Sequence, residues 1–113
     1  MNKIAILSCA KSAATCCGVD CLRFLAERDR SFAGYAGQDI QLAGFTTCCG
    51  CDTNPQIDEA FTSKITHLIK ARVTEVHVSA CVTSQKKNCP RKDAMFEMLR
   101  ASGMEIRLIE KQS

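Results

Sequence analysis

Four short apolar runs, each separated from the next by a stretch of helical periodicity, constrain this chain more than any other feature of it. Lys3-Ile4-Ala5-Ile6-Leu7-Ser8 is nearly continuous in its hydrophobicity, the pattern of a strand buried on both faces of a parallel sheet. Asp20 to Arg30 carries Leu22, Leu25 and Ala26 at helical spacing with charge on the opposite side, which predicts a helix starting near Cys21 and ended by Gly34 and Gly37. Asp39 to Phe45, with Ile40, Leu42 and Phe45, reads as a second strand, and Cys48 to Asp52 as the loop at its far end. Asn54-Pro55 then opens a second helix, because Asn caps well, Pro suits the first helical position, and Asp58 and Glu59 favour the positive end of the helix dipole. Its expected buried stripe is Ile57, Phe61, Ile65, Leu68 and Ile69.

Thr74 to Ser79 is rich in β-branched residues and reads as the third strand. Pro90 to Ser102 gives a third helix with Met95, Met98 and Leu99 inward and Gly103 as its cap. Met104 to Ile109 alternates polar and apolar residues, which places the fourth strand nearer an edge. The order βαβαβαβ argues for a four-stranded parallel sheet with helices on both faces, because parallel strands need right-handed crossovers. The expected architecture is a single α/β domain over residues 1–113, a three-layer flavodoxin-like sandwich with strand order 2-1-3-4.

Composition narrows what such a domain does. The chain of 113 residues is 46% hydrophobic and 24% charged, and no apolar run approaches the roughly 20 residues of a membrane span, so disorder and a membrane partner are not expected. Lys plus Arg number 15 against 12 Asp plus Glu, there is no Trp, and Tyr35 is the single tyrosine. That leaves neither a stacking platform nor a phosphate-binding stripe, so nucleic acid is not an expected partner. A core of this size folds without staples, yet there are nine cysteines: Cys9, Cys16, Cys17, Cys21, Cys48, Cys49, Cys51, Cys81 and Cys89. An odd count cannot pair within one chain, and the apolar stretch Ile4 to Ala10 is too short for a secretory signal. The expected compartment is cytoplasmic and reducing, where a dense cysteine set points to metal binding or redox chemistry rather than structural disulfides.

The positions of these cysteines carry the functional argument. Cys9, Cys48 and Cys81 each sit just past the C-terminal end of one of the first three strands, and the others lie in the same loops or helix starts. Open parallel sheets place ligands at this rim. With the first strand between the second and third, three strand ends are neighbours at roughly 4.8 Å, close to the roughly 3.8 Å between sulfurs around tetrahedral zinc. Cysteines filling a core would be scattered along strand and helix stripes instead.

Cys48-Cys49-Gly50-Cys51 contains C-x-x-C, whose sulfurs grip one metal or form a small disulfide, with Gly50 permitting the tight turn. The same layout before a helix suits a thioredoxin-like redox pair. Cys16-Cys17-Gly18-Val19-Asp20-Cys21 resembles the anion loop of low-molecular-weight phosphatases, but Leu22 stands where their arginine follows, ahead of Arg23. Lys86, Lys87, Arg91 and Lys92 bracket Cys89 and are expected as a solvated basic loop, the alternative being that they favour a thiolate or offset the charge of a sulfur-ligated metal. His77 is about 13 Å along an extended chain from Cys81, too far to share its metal, so it is expected as a core histidine bonded to backbone or as a residue supporting the ligands from behind. His67 is expected at the surface.

The chain also resembles the CGGC domain family, small cysteine-rich proteins. The resemblance runs through the opening strand into Cys9, the Cys16-x-Gly18 loop, Gly44-Phe45 leading to Cys48-x-Gly50-Cys51, His77-Val78-Ser79-Ala80-Cys81, and Cys89-Pro90. Cys49 stands where the signature has Gly, Cys17 where Pro is expected, and Arg91 where His commonly follows Cys-Pro, which removes one possible ligand. The resemblance implies a metal site on Cys9, Cys16, Cys48, Cys51, Cys81 and Cys89, and no particular reaction. All-sulfur ligation suits zinc first or an iron–sulfur cluster second. The expected function is therefore metal binding at a thiolate-rich rim. The alternatives are a thiol/disulfide oxidoreductase using Cys48 and Cys51, and an iron–sulfur electron carrier.

Overall fold

The fold is taken from a computed structural model, which describes residues 2–9, 17–50, 53–79, 82 and 90–109. Strand β1 (Asn2–Ser8) is followed by helix α1 (Val19–Glu27), a 3-10 helix (Arg30–Tyr35), β2 (Ile40–Thr47), α2 (Glu59–Lys70), β3 (Glu75–Ser79), α3 (Lys92–Ala101) and β4 (Glu105–Ile109). The four strands form one sheet in the order β2-β1-β3-β4, and every pairing is parallel. This is the expected flavodoxin-like order, with β4 at an edge.

Two apolar clusters make the three layers. On one face, Ala5, Leu7, Val76 and Val78 of the sheet pack against Phe61, Ile65 and Leu68 of α2 and Met95, Phe96 and Leu99 of α3. On the other, Ile4, Ile6 and Ile109 meet Phe32 and Tyr35 of the 3-10 helix, with Cys21, Phe24 and Leu25 of α1 packed against them. Ile4 to Leu7 is thus covered on both sides, as its unbroken hydrophobicity requires. Leaving water fully is worth about 1.5–3 kcal/mol for each large side chain of these clusters.

Several sequence expectations need correction. The first helix ends at Glu27, not Arg30, because Arg28 turns into the left-handed region (φ 54) and the backbone N–H groups of Arg28 and Asp29 close onto Leu25 and Phe24 carbonyls. Asp29 then caps the 3-10 helix, its carboxylate accepting from the Arg30 N–H at 2.7 Å. The packed stripe of α1 is Cys21, Phe24 and Leu25, while Leu22 and Ala26 face outward.

The second helix starts at Glu59, four residues later than Pro55 at its first position would place it. Two capping residues compete here: Asn54 accepts from the Gln56 N–H in a local turn, whereas Asp58 accepts from the Phe61 N–H at 3.1 Å and begins the helix. Ile57 therefore lies outside the helix and 80% exposed, and Ile69 is about half exposed, leaving Phe61, Ile65 and Leu68 as the buried stripe. In α3, Phe96 is buried where Met98 was expected to be, and Met98 is half-buried. Strand β2 also runs two residues past Phe45, and a bulge between the pairs Ile4–Leu42 and Ala5–Gly44 shifts its register against β1 by one residue.

Candidate functional site

Cys9 and Cys48 come together at the C-terminal rim. Ser8 and Thr47 are paired as the last residues of β1 and β2, and the Cys48 N–H donates to the Ser8 carbonyl at 2.9 Å. That bond carries the parallel ladder one step past the strands, so Cys9 and Cys48 leave the sheet side by side. Both are buried in the cluster beneath α2 and α3, Cys9 following the parity of Ala5 and Leu7. The extra length of β2 is what brings Cys48 to the strand end itself.

Cys49 packs half-buried against the same cluster, its thiol 3.5 Å from the Thr53 carbonyl. Gly50 has φ 99, a conformation costly for any residue with a side chain, so the backbone at this position favours glycine. The Lys64 ammonium of α2 donates to the carbonyl and hydroxyl oxygens of Thr47, at 3.0 and 3.2 Å. A cation is thereby fixed one residue before Cys48. No motif announces Lys64; it is found only because α2 packs across the end of β2.

Cys21 reaches the same rim from the other face of the sheet. Its thiol lies 3.7 Å from the Ser79 hydroxyl, at the last residue of β3. Gly18, with φ 79, caps α1 and faces the Phe45 ring of β2 so closely that an added Cβ would stand 2.9 Å from the ring. Cys17 is exposed. Cys16, Cys51, Cys81 and Cys89 lie outside the described residues. Among the described residues, no group of three or more His, Cys, Asp or Glu side chains is placed to hold a metal ion. The donors that are described, two adjacent buried thiols with a cation beside them, fit a thiophilic ion in kind but reach only two in number.

His77 is fully buried between the sheet and the 3-10 helix. Both ring nitrogens are engaged by hydroxyls rather than by backbone: Nδ1 lies 2.8 Å from Ser31 Oγ, and Nε2 lies 2.8 Å from Tyr35 Oη. The ring stacks on Phe32 with centroids 4.3 Å apart, and Nε2 is 3.7 Å from a Glu75 carboxylate oxygen. Burial, followed by the positive charge of Arg107, lowers its pKa to about 4. Ser31 and Tyr35 escaped the sequence reading because the 3-10 helix carrying them has no strong periodic signature.

The geometry also weighs on the two rival motif readings. A low-pKa redox thiolate of the thioredoxin type draws on a helix N-terminus, whereas α2 begins only at Glu59, well beyond Cys51. In the phosphatase-like reading Arg23 should face the loop; instead it pairs with Asp20 at 3.4 Å on the outside of α1. His67 is exposed, as expected, its Nδ1 2.7 Å from the Ser63 carbonyl.

Parallel strands sandwiched between helices, with thiols gathered where β1 and β2 end, define a cysteine-rich α/β protein of flavodoxin-like topology. The family model for the CGGC domain matches residues 3–112, almost the whole length, and the chain belongs to that family. No curated protein and no solved structure matches it. Among the described residues, no helix is long and apolar enough to cross a membrane.

Proposed function

We propose that residues 1–113 act as one domain that binds a thiophilic metal ion, zinc before an iron–sulfur cluster, at the C-terminal rim of the sheet. The first ligands in this reading are Cys9, Cys48, Cys51 and Cys81, with Cys16 and Cys89 completing a second ion or serving as reactive thiols. The observation that carries it is the Cys48 N–H bond to the Ser8 carbonyl, which sets two thiols from distant parts of the chain on adjacent strand ends. Covalent reach supports the rest: Cys51 directly follows Gly50, and Cys81 stands two residues, about 7 Å at most, beyond Ser79. Four thiolates around a divalent zinc ion leave a local charge of about −2, and Lys64 is fixed where it offsets part of it. His77 is not a ligand in this reading, since Ser31 and Tyr35 engage both its ring nitrogens. A bound zinc ion supplies Lewis acidity and holds its thiolates deprotonated at neutral pH. A reducing, cytoplasmic setting would keep those thiols available.

Metal analysis of protein purified without added metal tests the proposal, together with visible absorption and a thiol count. Stoichiometric zinc in a colourless protein, lost in Cys9→Ser and Cys48→Ser variants, is the expected result. Brown absorption replaces zinc with a cluster. Metal-free protein with a reversible Cys48–Cys51 disulfide overturns the proposal in favour of thiol/disulfide exchange.

A further inference from the structure

The buried imidazole is wired to a cavity at the opposite end of the sheet from the cysteines. Asn2, Ser31, Gly34, Tyr35, Gln38, Glu75 and Arg107 line a space of about 260 Å³ below the 3-10 helix. Both hydroxyls that engage His77 belong to that lining. Glu75 stands on the same wall, 3.7 Å from His77 and 3.8 Å from the Arg107 guanidinium, which also pairs with Glu105 at 2.7 Å. A hydroxyl bonded to an imidazole, an imidazole held from behind by a second group, and an open space beside the hydroxyl are the parts of a nucleophilic centre.

We propose that Ser31 is a nucleophile toward small acyl esters, with His77 as its base. In the tautomer that carries hydrogen on Nε2, that nitrogen donates to Tyr35 Oη and Nδ1 accepts the Ser31 hydroxyl at 2.8 Å. As Ser31 Oγ bonds to the acyl carbon, its proton passes to Nδ1 and the imidazole becomes positively charged. Glu75 faces that charge. The ester C–O bond then breaks and the alcohol leaves with the proton from Nδ1. Water attacks the acyl-serine, gives its proton to Nδ1 and releases the acid, while Oγ regains the proton. One ester and one water thus yield one acid and one alcohol. Arg107 supplies N–H donors on the cavity wall for charge developing on the acyl oxygen. Tyr35 and Glu75 are positioning residues, acting through the imidazole. The low basicity of His77 keeps it neutral in ordinary buffer, the form that accepts a proton.

A biotinylated fluorophosphonate, followed by peptide mass spectrometry, tests this directly on the full chain as purified. The expected adduct is on Ser31, at least tenfold more abundant in folded protein than in protein unfolded in urea, and Tyr35→Phe should slow its formation several-fold. p-Nitrophenyl acetate should acylate the same residue competitively. No adduct at Ser31, equal labelling of folded and unfolded chains, or an adduct on Tyr35 in its place would each overturn the proposal. Because the probe reads unmutated protein, a variant that fails to fold does not obscure the outcome.

Discussion

Acidification should destabilise this protein through the His77 imidazole, and its burial sets the sign. His77 titrates near 4 in the folded chain, against about 6.5 when unfolded. The unfolded state therefore binds the proton first, so the stability contributed by neutral His77 is complete above pH 6.5 and is lost as pH falls toward 4. Lowering from about 6.5 to about 4 corresponds to about 3 kcal/mol over the whole window, of which about 2 kcal/mol is lost between pH 7 and pH 5. That loss is a large fraction of the total for a domain holding about 5–15 kcal/mol. The physical origin is desolvation by burial, reinforced by the positive charge of Arg107. Urea midpoints at pH 7, 6 and 5 should be compared between the parent chain and His77→Gln, both carrying His67→Gln to remove the only other histidine. Subtracting the two profiles separates His77 from any thiolate that also takes up protons. The variant should be less stable at pH 7 but lose about 2 kcal/mol less on acidification. Parallel profiles, or a His77 ring resonance titrating near 6.5, would refute the reasoning.

Replacing Asp58 with Ala removes the acceptor of the Phe61 N–H and should lower stability by about 1 kcal/mol; Asn54→Ala, which leaves the cap of α2 intact, should cost less in the same urea titration. Phe61→Ala empties a fully buried site and should cost about 3–5 kcal/mol, whereas Ile57→Ala, at an exposed position, should stay within about 0.5 kcal/mol. Gly18→Ala forces a side chain both into the left-handed region and against the Phe45 ring; a loss of about 1–2 kcal/mol is expected, measurable as a lower melting temperature. Chelator treatment should unfold the chain if the rim metal is structural, since such sites contribute on the order of 10 kcal/mol; retained circular dichroism after metal loss would identify the site as functional only.

The thiol rim was legible because strand ends are marked by where hydrophobicity stops. Ile4 to Leu7 ends at Ser8, and Cys9 follows at once. The same logic put Cys48 near the end of β2, although the strand's last two residues, Thr46 and Thr47, lack the apolar character that would extend it in a sequence reading. Lys64 was invisible because its role depends on how α2 crosses the sheet, not on any neighbour in the chain. The Ser31–His77–Tyr35 network was invisible for the same reason: residues 46 and 42 positions apart meet only when the 3-10 helix folds over β3. Helix starts failed where two good capping residues stood close together, since capping energies of about 1 kcal/mol are too similar to choose between Asn54 and Asp58 locally.

Sequence alone determined the alternation of strands and helices, the burial of β1 on both faces, the parallel sheet in the order β2-β1-β3-β4, and membership of a cysteine-rich family. These follow from periodicity and crossover handedness, which are local or nearly so. Only tertiary structure decided which face each helix buries, that the Cys48 N–H bonds back to the first strand, and that the His77 ring nitrogens are held by two hydroxyls rather than by backbone. Those outcomes depend on packing between elements far apart in the chain, where small differences in close-packed contact settle what no short stretch of residues encodes.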